Sequence, residues 1–410
     1  MVITIENIKK AAEQIEPVIR STPLIHSYGL SRRCGVPIHY KPESLQRGGS
    51  FKVRGAYHRI LNLSDAEKTA GVVAASAGNH AQGVALAATW NRSSSIIVMP
   101  EDTPLIKVER TRGYGGEVVL WGTSIEEAFD KAQAIGEERG LTFVHPFADP
   151  LVIAGQGTIG LEILAECPDI RTVLVPIGGG GLISGIGTAL KAHDPKIRVI
   201  GLQAEGANAG VRSLREGKLV TVPHPETIAD GIRNKRISEM TFEIMQKVVD
   251  DVVDVTEEEI SQAIVYLLER GKLVVEAAGA VTTAALLASK VPRLEGPVCV
   301  VLSGGNIDTN LVARIIQRGL TTAHRFLIVR VPIPDVPGRL FGILEVLSGM
   351  RVNVLEIHHH RAGWEIPVGW TEVEIVMETR DREHGDEIVG KITAKGFEVS
   401  RGPRGSRKPA

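Results

Sequence analysis

The stretch TVLVPIGGGGLISGIGTALK, residues 172–191, decides the fold. Thr172–Ile177 is an unbroken, β-rich apolar run, the pattern of a strand buried on both faces of a sheet. Ile183–Lys191 has helical composition and spacing. Between them lie Gly178, Gly179, Gly180 and Gly181, so the stretch reads as strand, glycine turn and helix. The same alternation extends outward from about residue 36 to 316. Apolar runs recur at Gly71–Ala75, Ser95–Met99, Glu117–Leu120, Arg198–Gln203 and Val298–Leu302, with helix-like segments such as Ala81–Trp90, Ser124–Arg139 and Glu257–Gly271 between them. Short β-rich runs alternating with helix-length segments predict an α/β fold of open, twisted parallel sheets, arranged in two lobes with helices on both faces. In such sheets ligands bind beyond the carboxyl ends of strands. The turns Ser76-Ala77-Gly78-Asn79-His80, Gly178–Gly181 and Ser303-Gly304-Gly305-Asn306 therefore all point to one kind of place.

Composition narrows the function classes. The chain has 410 residues, 47 Lys and Arg against 48 Asp and Glu, 43% hydrophobic and 23% charged residues. These values exclude a disordered, collagenous or coiled-coil protein. A net charge of −1 gives no bulk attraction to nucleic acid or to an anionic membrane. The 44 glycines exceed average usage of about 7%, and aromatics are only 4%. Glycine is costly inside strands and helices, so the excess suggests close backbone approaches, often around phosphates. Cys34, Cys167 and Cys299 are widely spaced and form no CxxC motif, which fits a reducing compartment. Lys9, Lys10, Glu13 and Glu16 interrupt the N-terminus, and no apolar stretch reaches the ~18 residues of a membrane span. The expectation is a soluble, cytoplasmic protein.

The pattern changes after residue 316. Residues 317–325 read as a linker, and 326–400 as a compact βαββαβ unit: strand Phe326–Ile333, helix Pro337–Met350, strands Arg351–His359 and Thr371–Met377, helix Arg382–Lys395 and strand Phe397–Ser400. Residues 401–410, with four basic side chains among Gly and Pro, read as a disordered tail.

Four segments carry chemistry. Lys52, in Gly-Gly-Ser-Phe51-Lys52-Val-Arg-Gly, is a lysine in a semi-apolar, glycine-rich setting. An ammonium in a cleft loses hydration and its pKa falls, giving an amine able to form a Schiff base; a solvated lysine at a helix start is the plain alternative. Gly178–Gly181 exposes backbone N–H groups at a helix N-terminus, a phosphate cradle. A nicotinamide-dinucleotide fingerprint is the rival reading. It requires G-x-G-x-x-G/A, whereas Ile183 stands where the third glycine belongs; Glu205, near the next strand's end, keeps that rival open. The Ser76–His80 turn again presents N–H groups to an anion, a carboxylate by preference, and Asn79 there suits a ring oxygen. Ser303 suits a heterocyclic nitrogen.

Together these motifs resemble the threonine ammonia-lyase (threonine dehydratase) family of fold-type II pyridoxal-phosphate enzymes, with a tryptophan synthase β-like fold, over about residues 5–316. The resemblance implies pyridoxal 5'-phosphate as cofactor. It implies that Lys52 carries the Schiff base, with Phe51 beside it, and that Asn79 contacts the ring hydroxyl oxygen. Gly178, Gly179, Gly180, Gly181 and Leu182 would hold the phosphate, and Ser303 would face the pyridine nitrogen. Ser76, Ala77, Gly78, Asn79 and His80 would bind the substrate carboxylate. The implied reaction is β-elimination of L-threonine, and of L-serine, to a 2-oxo acid and ammonia. Serine racemases of this fold place a serine at the position of Ala77, so elimination without efficient racemisation is expected. Glu205 matches an acidic cation ligand of relatives, but Val211 occupies the place of its aspartate partner, leaving at most a monovalent cation site. Glu276 is expected to border the cofactor. Residues 326–400 resemble an ACT domain, whose first loop corresponds to Asp335-Val-Pro337-Gly338-Arg-Leu340 and implies an amino-acid effector, isoleucine or valine. A homotetramer or homodimer is implied. The strand position of His358-His359-His360 lets only His358 and His360 converge, too few for a metal. Non-catalytic amino-acid sensing through the ACT unit is the remaining alternative.

Overall fold

A computed structural model describes residues 3–322, 325–361 and 367–402. The chain divides into two compact units, Met1–Asp308 and Thr309–Ala410.

The first unit is built on two sheets. One has six strands in the order Ile25–His26, Ile38–Pro42, Val298–Leu302, Thr172–Pro176, Arg198–Ala204 and Asp251–Val255, parallel except for the first pair. The other is parallel throughout, in the order Glu117–Leu120, Ser95–Met99, Val72–Ala75 and Thr142–Phe143. The central strands are buried along their whole length, as expected of parallel strands covered on both faces. The predicted two-lobed α/β architecture is therefore present.

The strand Ile38–Pro42 lacks a continuous apolar run, and the reason is chemical. Lys41 is fully buried there, with Nζ 2.7 Å from Glu162 and a further hydrogen bond to the Thr22 carbonyl. A paired charge takes a position that an isolated lysine would avoid.

The helix Lys52–Leu61 is held against the helix Pro150–Glu166 by direct backbone contact. A Cβ on Gly55 would lie 2.6 Å from the Val152 carbonyl oxygen, and one on Gly155 would lie 2.7 Å from the Gly55 Cα. Beside this crossing, Arg54 is fully enclosed. Its Nε and Nη2 reach the buried Glu43 carboxylate at 2.8 Å each, and its Nη1 reaches Glu162 at 2.6 Å. The bidentate geometry and shared carboxylates pin the first turn of the helix that begins with Lys52.

The second unit starts with the helix Thr309–Thr322, so the expected linker at 317–325 is corrected for residues 317–322. Leu311, Val312, Ile315 and Ile316 recur at helical spacing up to that boundary, and the helix continues past it. An antiparallel sheet follows in the order Val354–His360, Trp370–Glu378, Phe326–Pro334 and Ser400–Arg401. Alternate residues Val329, Val331, Ile333, Val373, Ile375 and Met377 face Ile343, Leu347, Ile388 and Ile392 of the helices Arg339–Gly349 and Arg382–Ala394. The element order is βαββαβ. The last strand lies at Ser400–Arg401 rather than Phe397–Ser400, because Phe397 and Val399 pack against the core instead of pairing. Most of the expected tail, residues 403–410, lies outside the described residues.

Candidate active site

A cavity of about 660 Å³ opens where strands of both sheets end. Its wall brings together every segment singled out above in the first unit. Phe51 and Lys52 line it, as do Ser76–His80 after the strand Val72–Ala75, Gly178–Leu182 after Thr172–Pro176, and Ser303 after Val298–Leu302. Glu276 lines it too, and Glu205 does not.

Lys52 opens its helix, and its Nζ donates to the Pro146 carbonyl at 2.9 Å. Burial pulls its amine down to about 8 from an ordinary 10.5, with the Glu276 charge opposing the shift. A substantial neutral fraction is thus present near physiological pH, as imine chemistry needs. The segment before Lys52 is locked to the Ser303 turn. Phe51 N–H donates to the Ser303 carbonyl at 3.1 Å, Gly305 N–H to the Gly49 carbonyl at 2.9 Å, and Ser50 bridges Gly304.

Among the helices whose N-termini reach the cavity wall, Asn79–Trp90 and Gly181–His193 start directly from the Ser76–His80 and Gly178–Gly181 turns. The partial positive charge and unpaired N–H groups at such ends favour anions. The second end is reached through a turn that only glycine can form. Gly180 has φ +93°, and a Cβ on Gly179 would lie 2.2 Å from the Phe147 ring. Thr241 Oγ1 donates to the Gly179 carbonyl at 2.8 Å and fixes the turn from behind.

At the first end, Ser76 Oγ accepts from Gly78 N–H at 3.1 Å. His80 is buried, and its Nε2–H donates to the Val144 carbonyl at 2.8 Å. Burial, with Lys52 adding, holds its imidazole down at about 3, so it is neutral. Anion contacts at this turn therefore fall to backbone N–H groups and neutral side chains rather than to an imidazolium.

A buried lysine of lowered pKa and two glycine-led, anion-binding helix ends on a single cavity match the chemistry of a phosphorylated aldehyde and an amino acid. Comparison with known proteins agrees. Residues 15–304 match the family described as pyridoxal-phosphate dependent enzyme. The chain belongs to that family. This pyridoxal-phosphate enzyme is 47% identical to the L-threonine ammonia-lyase of Thermotoga maritima over 97% of its own length and 99% of the relative's. It is 47% identical to the L-threonine ammonia-lyase of Geobacter sulfurreducens over 96% and 98%. Among solved structures, a threonine deaminase from tomato, Solanum lycopersicum, superposes with a TM-score of 0.72 at 38% identity, covering 76% of this chain and 87% of that one. Maize serine racemase gives 0.74 at 35%, covering 79% and 100%. The fold is fold-type II, and the cofactor is pyridoxal phosphate.

The residues present fit that group. The glycine turn leaves room at a helix N-terminus for a phosphate, and Lys52 offers an amine in the neutral range. The nicotinamide reading of the glycine turn finds no support, since Glu205, its candidate ribose-binding acid, is exposed and outside the cavity wall. Val211 is fully buried, and among the described residues no three His, Cys, Asp or Glu side chains are grouped to hold a metal. His358 and His360 do share a face, with rings 6.3 Å apart. Among the described residues no helix is long and apolar enough to cross a membrane.

Sequence reasoning missed Phe147, which backs the glycine turn, and the Pro146 carbonyl that holds Lys52. It also missed Lys107, Glu126, Asp230 and Lys235 at the cavity wall. Only the fold brings these residues to the site, and no local motif marks them.

Proposed function

We propose that this chain dehydrates and deaminates L-threonine to 2-oxobutanoate and ammonia, with L-serine as a second substrate. The carrying observation is the buried Lys52 amine, its pKa lowered to about 8, on the same cavity wall as the Ser76–His80 and Gly178–Gly181 helix ends. The names of the relatives above support the choice of threonine.

When bound, the cofactor supplies an electrophilic carbon that takes up amines and a conjugated ring that spreads charge developing at the substrate Cα. Lys52 would anchor it, and Gly178–Leu182 would hold its phosphate. Asn79 would meet its ring oxygen, with Phe51 alongside. Ser303 would face its ring nitrogen; a hydroxyl there does not enforce protonation as a carboxylate would, so β-elimination is favoured over transamination. Backbone N–H groups of Ser76–His80 would hold the substrate carboxylate. The freed Lys52 amine takes the Cα proton and is then an ammonium able to protonate the departing hydroxyl. The enamine released tautomerises to an imine, and water hydrolyses it to the 2-oxo acid and ammonia.

Ala77 separates this reading from racemisation, the activity named for the maize structure. Its methyl group lines the cavity and cannot exchange a proton on the opposite side of Cα. Formation of 2-oxobutanoate from threonine, together with a visible absorption band lost on borohydride reduction, tests the proposal. A protein that takes up no pyridoxal phosphate, or forms no 2-oxobutanoate, overturns it.

The second unit is proposed as an ACT domain. Its candidate effector loop joins a strand to a helix: Gly338 has φ +90°, Asp335 N–H donates to the Gly369 carbonyl at 2.9 Å, and Arg361 Nε reaches the Asp335 carboxylate at 3.3 Å. With Pro337 and Leu340 this loop would take isoleucine or valine. Assays with isoleucine, valine and AMP test this and separate isoleucine synthesis from threonine breakdown. Light scattering tests the proposed homodimer or homotetramer.

A further inference from the structure

Two side chains beside the proposed cofactor site have no role in the chemistry above. Asn306 ends the Ser303–Asn306 turn, and Glu276, only 4% exposed, precedes the helix Ala277–Leu287. They meet at Asn79. Asn79 Nδ2 donates to Glu276 Oε1 at 2.6 Å, and Asn79 Oδ1 accepts from Asn306 Nδ2 at 2.7 Å. Asn306 Nδ2 also donates to the Gly48 carbonyl at 2.9 Å.

A carboxamide has one accepting and one donating end of nearly the same shape, so its partners decide which way it turns. Here the decision starts at the backbone. The Gly48 carbonyl can only accept, so Asn306 must present its NH2 group there. That same group offers Asn79 only a donor, so Asn79 turns its oxygen toward Asn306 and its NH2 group away. On the far side stands the Glu276 carboxylate, which accepts. A flipped Asn79 would set donor against donor at one end and oxygen against oxygen at the other.

We propose that Asn306 and Glu276 are positioning residues that hold Asn79 with its NH2 group, not its oxygen, toward the cofactor. One Nδ2 hydrogen goes to Glu276, and the second is left for the ring oxygen. Asn306 thereby links the Ser303 turn and the Lys52 segment to the turn carrying Asn79, so three motifs far apart in sequence are set as one unit. The proposal rests on the reading that Asn79 meets the ring oxygen.

The test titrates full-length apoenzyme with pyridoxal phosphate, reading Kd and the position of the visible band. Asn306→Asp keeps the shape but puts an acceptor against both Gly48 and Asn79. It is expected to weaken Kd about tenfold, the scale of one lost buried hydrogen bond, and to shift the band. Asn306→Ala serves the same comparison if that variant does not fold. Compared at a pH above the Lys52 pKa, Glu276→Gln, which retains an accepting oxygen, is expected to weaken Kd much less than Glu276→Ala, which weakens it about tenfold. In an Asn79→Ala background the Asn306→Asp change is expected to cost clearly less than in the wild type, because the part of its effect that passes through Asn79 is gone and only the Gly48 contact is still lost. Asn306→Asp within twofold of wild type and spectrally unchanged, alongside an impaired Asn79→Ala, overturns the inference alone. So does a full Asn306→Asp loss persisting in the Asn79→Ala background. Asn79→Ala with unchanged Kd and band overturns the underlying reading of Asn79.

Discussion

Lys52 must lose a proton before it can attack a carbonyl, and its surroundings do most of that work. Burial holds its amine at about 8, while the nearby Glu276 charge pulls the other way. The neutral form grows as pH rises through the pKa. In apoenzyme the rate of imine formation with pyridoxal phosphate should therefore climb with a midpoint near pH 8 and level off above it. Stopped-flow absorbance measures this, and a midpoint near 10.5 would mean a solvated lysine. Glu276→Gln removes the opposing charge and should move the profile to lower pH. At Ala77, the Ala77→Ser variant should gain D-serine formation from L-serine. Wild-type racemisation rivalling its elimination would sink the role given to that methyl group. These residues were legible because each sits in a short motif whose backbone chemistry can be read locally. The contacts of Asn79 were not, since its partners Glu276 and Asn306 lie 197 and 227 positions away in the chain.

Elements are placed by what joins them, and the join that orients the Lys52–Leu61 helix is ionic. Arg54 is enclosed with Glu43, also fully buried, and with Glu162. Arg54→Leu leaves the Glu43 charge without its bidentate partner and should destabilise the fold by about 3–5 kcal/mol, read as a lower denaturant midpoint. Adding Glu43→Gln should restore part of that loss, because the stranded charge is gone. Equal stability of Arg54→Leu and wild type would show that the pair does not brace the helix. The same network explains where sequence reading stopped at this scale. Runs such as Ser95–Met99 and Val298–Leu302 were plain because hydrocarbon alone fills their surroundings. Ile38–Pro42 was hidden because buried Lys41 finds Glu162 only after folding. The helix Thr309–Thr322 overran the expected linker because a polar stretch with apolar residues at helical spacing has no stop signal of its own.

Across the whole catalytic unit, the cavity lies between two lobes, and ion pairs span it. Lys107 meets Asp230 at 2.5 Å and Glu126 meets Lys235 at 2.8 Å. Lys107 and Glu126 belong to helices on the four-stranded sheet's side; Asp230 and Lys235 lie in the chain between the helices Ala209–Glu216 and Glu239–Val248. All four line the cavity, so each pair favours the closed mouth over an open one. Glu126 and Lys235 are half exposed, which limits their pair to about 0–1 kcal/mol and makes it sensitive to salt. Glu126→Gln and Lys235→Gln should each raise KM for threonine about two- to fivefold at low ionic strength, with kcat little changed. The double variant should be no worse than either single change, since one interaction is lost in all three. Raising the salt concentration should bring the wild type toward the variants as the pair is screened. Initial-rate kinetics at two ionic strengths measures this. A salt-independent KM in the wild type, or additive losses in the double variant, would mean that the pair does not help hold the mouth closed.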